Sequence, residues 1–110
     1  MPNNNSTMQV SVNEFIEKYN LQSDVATRYI DLMSELGEFG KEILISTKYG
    51  KTELEVNARM ADEIGDCLFS MLALCCELGV NSQEVLLEAL GKYERRFASK
   101  GDLGSNELRD

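Results

Sequence analysis

Val25, Tyr29, Leu32, Leu36, Phe39 and Ile43 recur at 4-3-4-3-4 spacing, the repeat that lays one apolar stripe along an α-helix. Strand patterns are almost missing: β-branched alternation never lasts beyond a few positions, and the only proline is Pro2. Capping signals divide the rest into helices. Ser11 with Glu14 is a capping box that opens a short helix through about Tyr19. Ser23 or Asp24 caps the second helix, and Tyr49-Gly50-Lys51 reads as the turn that ends it. Thr52 and Glu55 form another capping box, starting a third helix that runs to Leu78 with Gly79 as its stop. Asn81 or Ser82 caps a fourth, with Val85, Leu86, Ala89, Leu90, Tyr93 and Phe97 expected to face inward.

A length of 110 residues fits one domain. Short turns between amphipathic helices predict an all-α, antiparallel four-helix bundle-like domain, with residues 1–10 and 99–110 as loose tails. Between Cys67 and Leu78 the third helix is apolar nearly all round and needs cover on every face. Two arrangements supply it: a homo-oligomer with this segment near the interface, or a compact monomer with the segment at its centre. The three cysteines, Cys67, Cys75 and Cys76, are odd in number and lack C-x-x-C spacing, which suits reduced thiols of the cytoplasm. The N-terminus lacks a signal-peptide pattern, and the longest apolar run, about ten residues, is too short to span a bilayer.

Charge narrows the chemistry further. Nineteen acidic against eleven basic side chains leave a net charge of −8, unfavourable for nucleic acid or an anionic membrane. Histidine is absent, which excludes Ser-His-Asp and Cys-His catalysis and mixed Cys/His zinc sites. What remains is carboxylates, a few cations and a metal.

The carboxylates are patterned. Glu35-Leu36-Gly37-Glu38 on the second helix and Glu63-Ile64-Gly65-Asp66 on the third each hold two acids three residues apart, on one helix face. The tetrads lie symmetrically about the Gly50-Lys51 turn, so an antiparallel hairpin brings them level, each about 20 Å from the turn. Each pair also flanks a mid-helix glycine, a costly residue there unless another backbone or a ligand approaches closely. Four converging carboxylates repel one another, so they either splay into water as a solvated face or hold a cation. An all-oxygen donor set suits Mg²⁺ or Mn²⁺ better than zinc or copper. Lys41 and Arg59 offer local compensation, at three after Glu38 and four before Glu63.

A cationic cluster, Lys92-Tyr-Glu-Arg95-Arg96-Phe-Ala-Ser-Lys100, stands near the C-terminus of this acidic chain. It suits a phosphate tail, and equally complements the dipole at a helix end.

Taken in order, Glu35-x-x-Glu38, Glu63-x-x-Asp66 and Lys92-Tyr-Glu-Arg95-Arg96-Phe97 resemble the MazG-like nucleoside triphosphate pyrophosphohydrolases of the all-α NTP pyrophosphatase superfamily, over roughly residues 25 to 97. The resemblance implies a helical homodimer or dimer of dimers that hydrolyses NTPs or dNTPs to the monophosphate and pyrophosphate with Mg²⁺. It implies metal ligation by Glu35, Glu38, Glu63 and Asp66, with Glu38 also positioning the attacking water. Lys92, Arg95 and Arg96 would contact phosphate. Where many relatives carry aromatic residues for the base in the N-terminal helix, this chain has Phe15 and Tyr19. Phosphoribosyl-ATP and dUTP/dCTP-directed pyrophosphohydrolases share much of the acidic pattern. A non-catalytic acidic module that binds a basic partner is the reading from another class.

Overall fold

In the computed structural model, which describes residues 7–100, four α-helices follow one another: α1 (Thr7–Lys18), α2 (Val25–Ser46), α3 (Ala58–Leu78) and α4 (Ser82–Lys100). All regular structure among the described residues is helical, as the periodicity predicts. Asp24 caps α2 by accepting from the Thr27 backbone N–H at 2.7 Å, which holds its carboxyl below the usual carboxylate value. Gly79 ends α3 in the left-handed conformation (φ 69°), with Gly79 N–H on the Cys76 carbonyl and Val80 N–H on that of Cys75. Asn81 caps α4, accepting from Glu84 N–H at 3.0 Å.

Two helix starts differ from expectation. The third helix begins at Ala58 and not at Thr52, because the N–H groups of Lys51 and Thr52 both donate to the Thr47 carbonyl and close the exit turn of α2. Asn57 takes over as cap, accepting from Met60 N–H at 3.0 Å. The first helix begins at Thr7, ahead of Ser11, so residues 7–10 are helix and not tail. Its first turn is tied down by Gln9, whose amide donates to the Val80 carbonyl at 2.8 Å and accepts from Ser82 N–H at 2.7 Å. Likewise α4 carries on through Ser99 and Lys100. The rest of the expected tails, 1–6 and 101–110, lies outside the described residues.

α2 and α3 form the central antiparallel hairpin. Arg28 and Glu77 pair across one end at 3.4 Å, Glu42 and Arg59 across the other at 3.8 Å. α1 lies on α3, where Ile16 is buried and Phe15 meets Phe69 edge to face, ring centres 5.9 Å apart. The buried core sits mainly on α3, in Met60 and the run Leu72 to Cys75.

α4 is not packed along α2 or α3. Between its first turns and Leu68, Met71 and Leu72 of α3 lies an open apolar groove of about 630 Å³. The stripe expected to face inward therefore does not: Val85, Leu86, Leu90, Tyr93 and Phe97 are all exposed within one chain, and Ala89 is half-buried. On α2, Val25, Tyr29 and Leu36 are exposed as well. The radius of gyration is 17.2 Å, whereas a compact domain of this size has about 13 Å. A helical stripe fixes which face is apolar; it leaves open which chain covers it.

Candidate functional site

The α2–α3 hairpin does bring its acids together. Glu35 from α2 and Glu63 and Asp66 from α3 each offer a carboxylate oxygen, and the three oxygens lie within 4.8 Å of one another. Helix geometry explains two of them, since residues three apart share a face. The antiparallel return of the chain brings the third. Glu35 and Glu63 are half-buried and Asp66 is exposed.

Glu38, the fourth expected acid, is exposed and stands outside this trio. Its charge still bears on the site. The Glu63 carboxyl is pushed above its ordinary value of 4.5 by burial first, and then by the charges of Asp66, Glu38, Glu35 and Glu42. The Cys67 thiol, one turn beyond Glu63, is raised too, by burial and by the charges of Glu35, Glu63 and Asp66. Leu36, Phe39, Ile64 and Cys67, each next in sequence to one of the tetrad acids, line an apolar groove of about 370 Å³ between the two helices. The donors are all carboxylate oxygens at a half-buried, strongly negative position, a set that fits a hard divalent cation.

Among the described residues, the glycines of the tetrads serve no close approach. A Cβ on either Gly37 or Gly65 would meet nothing within 4 Å.

Glu42 is a site neighbour that the motif arithmetic passes over. It follows Glu38 by one helical turn, is half-buried, and contributes to the field on Glu63. Arg59 pairs with Glu42 across the hairpin, where i,i+4 spacing alone points to Glu63. The signal for Glu42 was present in the same-sign row Asp31, Glu35, Glu38, Glu42.

The expected phosphate-binding cations sit on α4. Lys92 is half-buried, Arg95 exposed and Arg96 buried at 6% exposure. The Lys92 ammonium lies 5.4 Å from the centre of the Tyr93 ring and the Arg96 guanidinium 6.0 Å from it. Because α4 is not packed along the hairpin, no packed interface among the described residues lays this cluster against the acids.

The family model of the MazG nucleotide pyrophosphohydrolase domain matches residues 12–99, a span that takes in the hairpin acids and the α4 cations. No curated protein and no solved structure matches the chain.

Proposed function

The chain belongs to the MazG nucleotide pyrophosphohydrolase family, and from that premise we propose that it hydrolyses nucleoside triphosphates, ribo or deoxy, to the monophosphate and pyrophosphate with Mg²⁺, as a house-cleaning activity on the nucleotide pool. The observation that carries the reading is the convergence of Glu35, Glu63 and Asp66 from two helices. Carboxylates repel one another as they converge, and three oxygens within 4.8 Å of one another are suited to ligate a hard cation.

Glu35, Glu63, Asp66 and the adjacent Glu38 are the residues that would hold the metal. Bound there, Mg²⁺ or Mn²⁺ supplies Lewis-acid polarisation of phosphoryl oxygens and a lowered pKa for coordinated water. The chain's own residues do the rest. Glu38, exposed beside the trio, is free to accept a proton from the attacking water and to orient it toward the α-phosphorus. Lys92, Arg95 and Arg96 offset charge on the phosphate tail, in keeping with the electrostatic character of phosphoryl transfer.

The reading includes a homo-oligomer, dimer or tetramer. Its support is the apolar surface that one chain leaves uncovered on α2 and α4, Ile30 at 64% exposure and Leu87 at 58% among it. It also includes a cytoplasmic setting, supported by the three free thiols Cys67, Cys75 and Cys76. No helix of the described chain is long and apolar enough to cross a membrane.

Thermal melting with Mg²⁺ and a non-hydrolysable triphosphate, separately and together, tests the reading. An enzyme site is stabilised by RT ln(1 + [L]/Kd), about 2.7 kcal/mol at a hundredfold Kd. A joint shift larger than either alone is expected. No joint shift would mark a non-catalytic acidic module.

A further inference from the structure

We propose that Gln9, near the start of α1, is a positioning residue for the phosphate-binding cations: it fixes the direction in which α4 leaves α3, and so places Lys92, Arg95 and Arg96. The inference rests on the pyrophosphohydrolase reading and extends it to a residue ahead of the span that the family model matches.

Three observations carry it. First, Gln9 is only 5% exposed, and both ends of its amide meet the α3–α4 turn. Its Nε2 donates to the Val80 carbonyl at 2.8 Å, and its Oε1 accepts from Ser82 N–H at 2.7 Å. Bonds to two residues hold the turn at two points, where a single bond would let it swivel. Second, Ser82 N–H is the first donor of α4, one of the four that a helix cannot satisfy from within itself. Gln9 therefore grips the end of α4 itself as well as the loop before it. Third, among the described residues α4 is packed along neither α2 nor α3, so its direction depends on how it leaves the turn.

Leverage turns this local grip into a functional one. Lys92 stands ten residues beyond Ser82 on one continuous helix, about 15 Å along its axis, and Arg96 about 21 Å. A tilt of about 10° at the turn then moves these side chains by about 3 Å. Misplacement of about 1 Å is already enough to weaken a group that must meet its substrate in a set geometry. The chemistry at the turn also asks for an amide. Val80 requires a donor and Ser82 an acceptor, which a carboxamide supplies together and a carboxylate does not. Asparagine has the same head on a stem one methylene shorter.

Titration calorimetry on the full chain, with Mn²⁺ alone and with Mn²⁺ plus an α,β-non-hydrolysable triphosphate, tests the proposal. Gln9→Ala and Gln9→Glu should each weaken triphosphate binding by about tenfold. Binding of Mn²⁺ alone should stay at the parent value, because the acids stand on α2 and α3. Gln9→Glu keeps the side-chain length and the acceptor for Ser82, so it reads the effect even where the alanine variant does not fold. In a Lys92→Ala/Arg95→Ala background the same changes should cost no more than about twofold, since Gln9 acts through those cations. Parent-like triphosphate affinity in the Gln9 variants, an equal loss of Mn²⁺ binding, or a full tenfold loss in the Lys92→Ala/Arg95→Ala background would overturn the role of Gln9 alone. Failure of the parent itself to bind the triphosphate with Mn²⁺ would overturn the function and this inference together.

Discussion

Glu35 of α2 and Glu63 of α3 present carboxylate oxygens within 4.8 Å of each other although the whole α2–α3 turn separates them in sequence. Like charges held this close oppose folding until a cation offsets them. Glu35→Gln should therefore raise the melting temperature in metal-free buffer and abolish the further rise that Mg²⁺ produces in the parent. Loss of a metal ligand should also cut Mg²⁺-dependent turnover by about 100-fold or more, beyond the effect typical of outer residues. Paired melting curves with and without Mg²⁺ check the stability half; initial rates check the other.

Glu63 makes a pH prediction of definite sign. Its folded carboxyl lies above the ordinary 4.5, so over the window between the two values the folded chain holds a proton that the unfolded chain releases. Stability from this group is full below the ordinary value and is lost as pH rises through the raised one. Cation binding expels the same proton. Calorimetry in two buffers of different ionisation enthalpy should register more proton release just above pH 4.5 than at neutral pH.

The Arg28–Glu77 pair closes the other end of the hairpin, with side chains 9% and 19% exposed. Glu77 also accepts from Ser23 N–H at 3.1 Å, joining the α1–α2 connection to the end of α3. Glu77→Ala strands a buried guanidinium and should cost about 3 kcal/mol. Urea denaturation should show a lower midpoint with an unchanged slope.

Uncovered apolar faces predict assembly. Sedimentation should give at least twice the 12.4 kDa of one chain. Leu90→Glu on α4, where Leu90 is 49% exposed, should dissociate the assembly and lower its stability. In a monomer the same change at an exposed site would stay within about 0.5 kcal/mol.

Local physics made part of this legible from the residues alone. The apolar period and the symmetric placement of the tetrads about Gly50 were enough to foresee a hairpin with Glu35 level with Glu63 and Asp66. The start of α3 was not legible, because Thr52 looks like a cap but its N–H is used by Thr47, a contact that only the folded turn creates. The Arg59–Glu42 pair escaped for a similar reason: spacing along one helix cannot rank a partner on the next. Gln9 left no pattern, since a polar residue in an exposed-looking turn becomes buried only when the α3–α4 turn closes over it. The α4 stripe was read correctly as apolar and wrongly as covered by its own chain, since periodicity shows which face is apolar and not what packs on it.

Identification of the first phosphate-containing product from an NTP and dNTP panel, with the purified chain and Mg²⁺, tests the central claim most directly. Nucleoside monophosphate and pyrophosphate in equal amounts, lost on chelation of the metal and in Glu38→Gln, is the predicted result. Orthophosphate as the first product, or turnover undiminished in Glu38→Gln, would contradict it.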